Sequence, residues 1–125
     1  MKARGLGIAL AIAACVALAA GGTALGRGAA KTQVTIHYNG DGFQGRVKSG
    51  RHKCVADRKV IVYKQKGAEP DRSVDRQWSS DTTGGDGHWS DGNSGPGKGK
   101  YYAFAKRKPG CRRGLSETIR VVPTA

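Results

Sequence analysis

From Ser80 to Ala105 the chain reads Ser-Asp-Thr-Thr-Gly-Gly-Asp-Gly-His-Trp-Ser-Asp-Gly-Asn-Ser-Gly-Pro-Gly-Lys-Gly-Lys-Tyr-Tyr-Ala-Phe-Ala. Glycine, aspartate, asparagine and proline recur too often for a helix to persist, and the stretches between them are short and aromatic. The rhythm is a strand, a tight Asp-Gly turn, a short strand carrying Trp89, a glycine-rich loop and an aromatic strand from Lys100 to Lys106.

The chain before it follows the same grammar. Thr32 to Tyr38 alternates, with Val34, Ile36 and Tyr38 on one face, and Asn39-Gly40-Asp41-Gly42 ends it as a turn. Phe43 to Lys48 alternates again and is expected to pair with that first strand. Arg58 to Gln65 carries Val60, Ile61, Val62 and Tyr63 in succession, so apolar side chains on both faces predict a central strand. Lys66 to Arg72 reads as a loop tip. Ser73 to Thr83 is expected to pair across the Gly84 to Gly87 turn with His88 to Asp91, which puts Trp78 and Trp89 on neighbouring strands, their ring nitrogens satisfied by nearby turn carbonyls. Tyr102 and Phe104 share one face of the next strand, Tyr101, Ala103 and Ala105 the other, and Ser116 to Val122 is the last strand. Seven short strands without helical periodicity predict an all-β fold, a single antiparallel Ig-like or prealbumin-like sandwich of two sheets over residues 32–123.

The N-terminal segment is different. Lys2 and Arg4 precede an apolar run from Gly5 to Ala20, followed by small residues around Ala24-Leu25-Gly26. This is the pattern of a helical signal peptide over residues 1–26, shorter than the roughly 20 apolar residues of a spanning helix. Residues 27–31 then read as a flexible leader. The expected location is secreted or extracellular; the alternative is a lipid anchor through Cys15, because Ile12-Ala13-Ala14-Cys15 resembles a lipobox.

Two cysteines, Cys54 and Cys111, follow that segment, and an exported chain meets oxidising conditions. They are expected to pair, closing a loop of about 57 residues at a model-dependent gain of about 4 kcal/mol. A zinc site is disfavoured because His52 and Cys54 have no second ligand pair nearby. Gly92 to Lys98 fits the start of a phosphate-binding loop, but Gly99 replaces the hydroxyl that holds magnesium and a strand follows in place of a helix. Asp81, Asp86, Asp91 and Asn93 do not fit a calcium-loop register. His37, His52 and His88 accompany no recognisable catalytic pattern. No enzyme activity, no metal, no cofactor and no small-molecule substrate is expected.

The order Gly45-Arg46-Val47, Arg58-Lys59-Val60-Ile61-Val62-Tyr63, Asp81-Thr82-Thr83 with Asp86-Gly87-His88-Trp89, then Gly99-Lys100-Tyr101-Tyr102-Ala103 resembles the prealbumin-like sandwiches of carboxypeptidase regulatory-like and collagen-adhesin B-type repeats in exported bacterial proteins. The resemblance covers most of residues 44–106 and implies a scaffold, stalk or binding module. The cysteine pair departs from that group, and no Lys, Asn and acidic trio for an isopeptide bond is evident.

Charge supplies the functional clue. The chain of 125 residues has a formal net charge of +13, and beyond Arg27 it holds 19 basic against nine acidic residues. Arg46, Lys48, Arg51, Lys53, Arg58 and Lys59 gather around one cysteine; Lys106, Arg107, Lys108, Arg112 and Arg113 gather around the other. A disulfide would bring both groups to one end, making candidate anion-binding residues for a cell-wall polymer, acidic polysaccharide, lipid headgroups or extracellular DNA. The expected function is a secreted, non-catalytic module of the bacterial cell envelope or extracellular space. The alternative is a small inhibitor or antimicrobial effector that inserts the 84–99 loop into a partner.

Overall fold

A computed structural model describes residues 28–122. The expected signal peptide and Cys15 lie outside the described residues. The nine strands are β1 (Gln33–Val34), β2 (His37–Tyr38), β3 (Phe43–Lys48), β4 (Lys59–Gln65), β5 (Arg76–Thr82), β6 (His88–Ser90), β7 (Gly99–Ala105), β8 (Gly114–Leu115) and β9 (Ile119–Val121). A single 3-10 turn, His52–Cys54, is the only helical element among the described residues.

Two antiparallel sheets face each other. In the first, β3 pairs with β1 and β2 along one side and with β6 along the other. In the second the order is β5-β4-β7-β8, with β9 also on β7. The buried core lies between them: Val34, Ile36, Phe43, Val47 and Trp89 from the first sheet meet Val60, Val62, Tyr101, Ala103, Ala105 and Val121 from the second. The central position expected for the Val60 to Tyr63 run holds, since β4 lies between β5 and β7.

The strand count of seven is corrected to nine. The expected strand 32–38 is split because the Thr35 side chain replaces a backbone group: Thr35 Oγ1 accepts from the Arg46 N–H at 2.9 Å. Gly114–Leu115 forms a short strand ahead of the expected last strand from Ser116 to Val122. Between it and β9, Ser116 bonds Ala103 through both its hydroxyl and its N–H, at 2.8 and 2.9 Å, which shifts the register by one residue.

A second correction concerns the tryptophans. β5 and β6 do not form a hairpin: β5 pairs with β4, β6 pairs with β3, and the 83–87 turn carries the chain from one sheet to the other. Trp78 and Trp89 therefore sit on opposite layers, and neither indole N–H reaches a protein acceptor. Carboxylates close the seam between these two edges instead. Asp91 accepts from the Phe43 N–H at 2.7 Å and the Ser79 hydroxyl at 2.5 Å, while Asp81 accepts from the Ser90 N–H at 2.8 Å. Gly45 lies where β3 passes the broken strand; a Cβ there would collide with the Thr35 carbonyl oxygen and meet the Trp89 indole nitrogen at 2.9 Å.

The outer face of the second sheet is covered by the 66–75 segment, which folds back rather than projecting as a tip. Asp75 is its anchor, accepting from the Tyr102 hydroxyl at 2.6 Å and from the N–H groups of Lys66 and Asp71 at 2.8 and 2.7 Å. Burial works to raise the Asp75 pKa, but these hydrogen bonds outweigh it and hold the carboxyl below its ordinary value. Burial, together with the Asp75 carboxylate, pushes the Tyr102 phenol well above the usual range. Because the folded phenol resists ionisation while the unfolded one ionises near its ordinary value of about 10, stability is present below that pH and lost as pH rises above it. Thermal melts from neutral pH to beyond pH 10 are expected to fall more steeply for the wild type than for Tyr102→Phe. The variant itself starts lower by about 1–2 kcal/mol at neutral pH, since Asp75 loses a donor.

Candidate functional site: the cationic pole at the disulfide

Both cysteines sit at one end of the sandwich. β4 starts there, β3, β5 and β7 end there, and the antiparallel register sets Lys59 opposite Thr82 and Val60 opposite Ala105. The 3-10 turn aims Cys54 inward, and Lys108-Pro109-Gly110-Cys111 reverses the chain, with Gly110 at φ 78° and the Cys111 N–H bonded to the Lys108 carbonyl at 2.8 Å. The Cys54–Cys111 disulfide forms, with 5.4 Å between the Cα atoms and both residues buried.

The N-terminal stretch is part of this pole. The Ala30 N–H donates to the Gly110 carbonyl at 3.0 Å and the Ala30 carbonyl accepts from the Arg112 N–H at 2.8 Å, so paired backbone begins before Thr32. Arg51 donates to the Gly28 carbonyl at 2.8 Å.

Arg58 is the residue whose position differs most from the sequence reading. Considered as a surface cation, it is 0% exposed. Its guanidinium donates to the carbonyls of Cys54 (2.6 Å), Lys106 (2.9 Å) and Arg112 (2.8 Å) and to the Thr32 hydroxyl (3.0 Å). Burial alone lowers its pKa from the ordinary value. Its Nε is buried without a partner. Arg58 is thus removed from the anion-binding set and becomes the internal tie of the pole. Thr83 assists, accepting from the Arg58 N–H at 2.8 Å and donating to the Val55 carbonyl at 2.7 Å. A signal for this existed in the sequence: Arg58 shares the two-residue parity of Val60 and Val62, the inward face.

The remaining candidates surround that tie. Lys53, Lys106, Arg107, Arg112 and Arg113 are exposed, and their side chains make no hydrogen bond or ion pair to described residues. Lys108 is half-buried and donates to the Ala56 carbonyl at 3.2 Å; Arg51 is also half-buried. Arg46 and Lys48 are exposed on the outer face of β3, leading up to the pole. Arg46 stands opposite His88, close enough to Asp86 to add to the His88 N–H bond that holds the Asp86 carboxyl below its ordinary value. An open groove of about 650 Å³ runs between Ala29 and the 107–113 turn. Its lining offers guanidinium and ammonium donors, the groups that make charge-assisted bonds to phosphate, sulfate or carboxylate.

The far pole is mixed. Lys64, Lys66, Arg76, Lys98, Lys100 and Arg120 lie there among Asp41, Glu69, Asp71, Asp75 and Asp91, whereas the acidic residues toward the disulfide pole are Asp57, Asp86 and Asp81, the last opposite Val60 and committed to the Ser90 N–H. Among the described residues the one ion pair is Asp86 with His88 at 3.8 Å, conditional on a protonated imidazole. No group of three or more His, Cys, Asp or Glu residues that could hold a metal occurs among the described residues. The 84–99 stretch is not one projecting loop, because β6 in its middle is paired and Trp89 is buried.

Fold and pole together define a class: a small, disulfide-tied antiparallel β-sandwich with one strongly cationic end. No protein-family model matches the chain, and no curated protein or solved structure matches it.

Two substitutions separate the roles of the pole's arginines. Arg58→Met strips donors from the buried Cys54 carbonyl and the part-buried Lys106 and Arg112 carbonyls and is expected to destabilise by about 3 kcal/mol or more in denaturant melts, whereas Arg107→Gln changes stability by no more than about 0.5 kcal/mol. Reduction of the disulfide is expected to cost about 2–5 kcal/mol in the same assay.

Proposed function

We propose that the chain is a secreted, non-catalytic β-sandwich module of the cell envelope or extracellular space that holds anionic polymers at its disulfide pole. The observation that carries this is the set of exposed, unpartnered cations Lys53, Lys106, Arg107, Arg112 and Arg113 around a groove with almost no neighbouring carboxylate. Like charges are costly to crowd, and here a covalent bond and a buried guanidinium hold the chains that carry them together. The disulfide and the apolar leader-like segment support an oxidising location outside the cytosol. The two-sheet architecture and the motif order support kinship with the prealbumin-like repeats of exported bacterial proteins, whose usual role as scaffolds fits this reading. The inhibitor reading has less support, since the middle of the segment it needs, His88–Ser90, is paired in the first sheet and only 91–98 is left as loop.

Binding to a phosphate or sulfate polymer releases counterions and so weakens with salt. In salt-gradient elution from heparin and from immobilised DNA, the double variant Arg107→Glu/Arg113→Glu is expected to elute well before the wild type. The variant Lys66→Glu/Lys98→Glu makes the same change in net charge at the far pole and is expected to elute close to the wild type. Equal shifts would show that net charge alone governs retention, and the assignment to the pole would fail.

A further inference from the structure

On the outer face of the second sheet, Ile61, Phe104 and Leu115 stand opposite one another on β4, β7 and β8 and make an apolar row. Ile61 and Phe104 are buried, whereas Leu115 is 49% exposed. The row ends between two arginines. The Arg72 guanidinium lies over the Phe104 ring, 3.9 Å from its centroid, and Arg72, Arg113, Phe104 and Leu115 line one small cavity of about 240 Å³. Stacking covers a face of the guanidinium and leaves its edge of N–H donors free. Neither arginine has a hydrogen bond or ion pair to a described residue. Of the carboxylates near them, Asp71 is committed to Ser73, accepting from its N–H at 3.0 Å and its hydroxyl at 2.5 Å, and Glu117 lines a different groove, beside β1. Both arginine backbones are fixed. Arg72 sits in a turn closed on the Asp71 carbonyl, which accepts from the N–H groups of Val74 and Asp75; Arg113 lies between Arg112, bonded to Ala30, and Gly114, paired with Ala105.

We propose that this cavity receives the C-terminal end of a peptide whose last residue is apolar, the terminal carboxylate held between the Arg72 and Arg113 guanidiniums and the side chain seated on Phe104 and Leu115. Charge complementarity selects the anion, because guanidiniums that no carboxylate of the chain engages make charge-assisted, bidentate bonds to one brought by a ligand. The apolar row selects what adjoins that carboxylate, since covering Leu115 takes a hydrocarbon group. Size selects a single residue, the cavity being smaller than the roughly 300–1,000 Å³ of sites for drug-sized ligands. A second groove of about 500 Å³ continues from Arg72 and Leu115 along Pro70 and Ser73 and gives the preceding residues room. Because the donors are already placed, binding loses less conformational entropy. Arg113 is shared with the cationic pole, but Arg72 and Phe104 lie outside it, so the site holds or fails independently of polymer binding.

The test titrates the isotope-labelled full chain with the peptide acetyl-Ala-Ala-Leu at low salt and follows the Gly114 amide and Leu115 methyl resonances by NMR. The free acid is expected to shift them saturably and to bind at least about tenfold more tightly than its C-terminal amide or than acetyl-Ala-Ala-Ser. Arg72→Gln and Leu115→Ser, both at exposed positions, are each expected to weaken binding about tenfold, whereas Lys98→Gln, which removes the same charge far away, leaves it unchanged. Absence of saturable shifts, equal affinity for acid and amide, or equal affinity for the leucine and serine peptides overturns the proposal without recourse to any variant. Equal weakening by Lys98→Gln overturns it in favour of net charge. N-acetylleucine binding as tightly as the tripeptide overturns it in favour of a small free carboxylate.

Discussion

The four hydrogen bonds of the buried Arg58 guanidinium hold the disulfide end of the sandwich in one arrangement. They reach from the residue before β4 to the segment before β1, to the turn carrying Cys54, to the residue after β7 and to the residue after Cys111. None of these segments has a full ladder of its own at that point, so the planar donor fork supplies the satisfaction that a sheet would give elsewhere. A buried cation needs its polarity matched, and here carbonyl dipoles do so in place of a carboxylate. The disulfide beside it closes the same gap covalently. Together they allow a crowd of like charges to share one end of a small domain, where self-repulsion would otherwise favour splaying the turns apart.

The acidic residues explain why that charge stays uncompensated. Asp75, Asp81 and Asp91 use their oxygens to accept backbone N–H and hydroxyl bonds, tying the 66–75 segment to the sheet and closing the β5 and β6 edges. Asp71 and Asp86 are turned to local N–H groups in the same way. Carboxylates engaged in holding the fold are poorly placed to neutralise lysines and arginines on the surface. The excess of basic residues thus becomes a surface field rather than a web of ion pairs, and it concentrates where the carboxylates are fewest.

Much of the architecture was legible along the chain. The β3 hairpin with the strand before it and the division of β7 into a Tyr102 and Phe104 face and a Tyr101, Ala103 and Ala105 face follow from two-residue alternation, and the central place of β4 from its unbroken apolar run. The cysteine pairing followed from there being two cysteines after the leader-like segment and no second ligand pair to make them a metal site. Pairing between β5 and β6 was misjudged because a Gly-Gly-Asp-Gly turn looks the same whether it closes a hairpin or carries the chain across to the other layer. The inward side chain of Arg58 was misjudged for a different reason: residue type was weighed above position, although its parity with Val60 was in plain sight.

The sequence by itself determined an all-β chain of short strands, a pair of cysteines bracketing its central strands, and an excess of positive charge, because alternation, turn chemistry and composition are local properties. Only the tertiary structure decided which cations face outward. Whether a lysine or arginine is surface or core, and whether a carboxylate is its partner or is committed to a distant N–H, depends on segments far apart in sequence meeting at one place. The disulfide pole is such a place, assembled from residues 28–32, 51–59, 82–88 and 105–114, and its chemistry exists only once they are together.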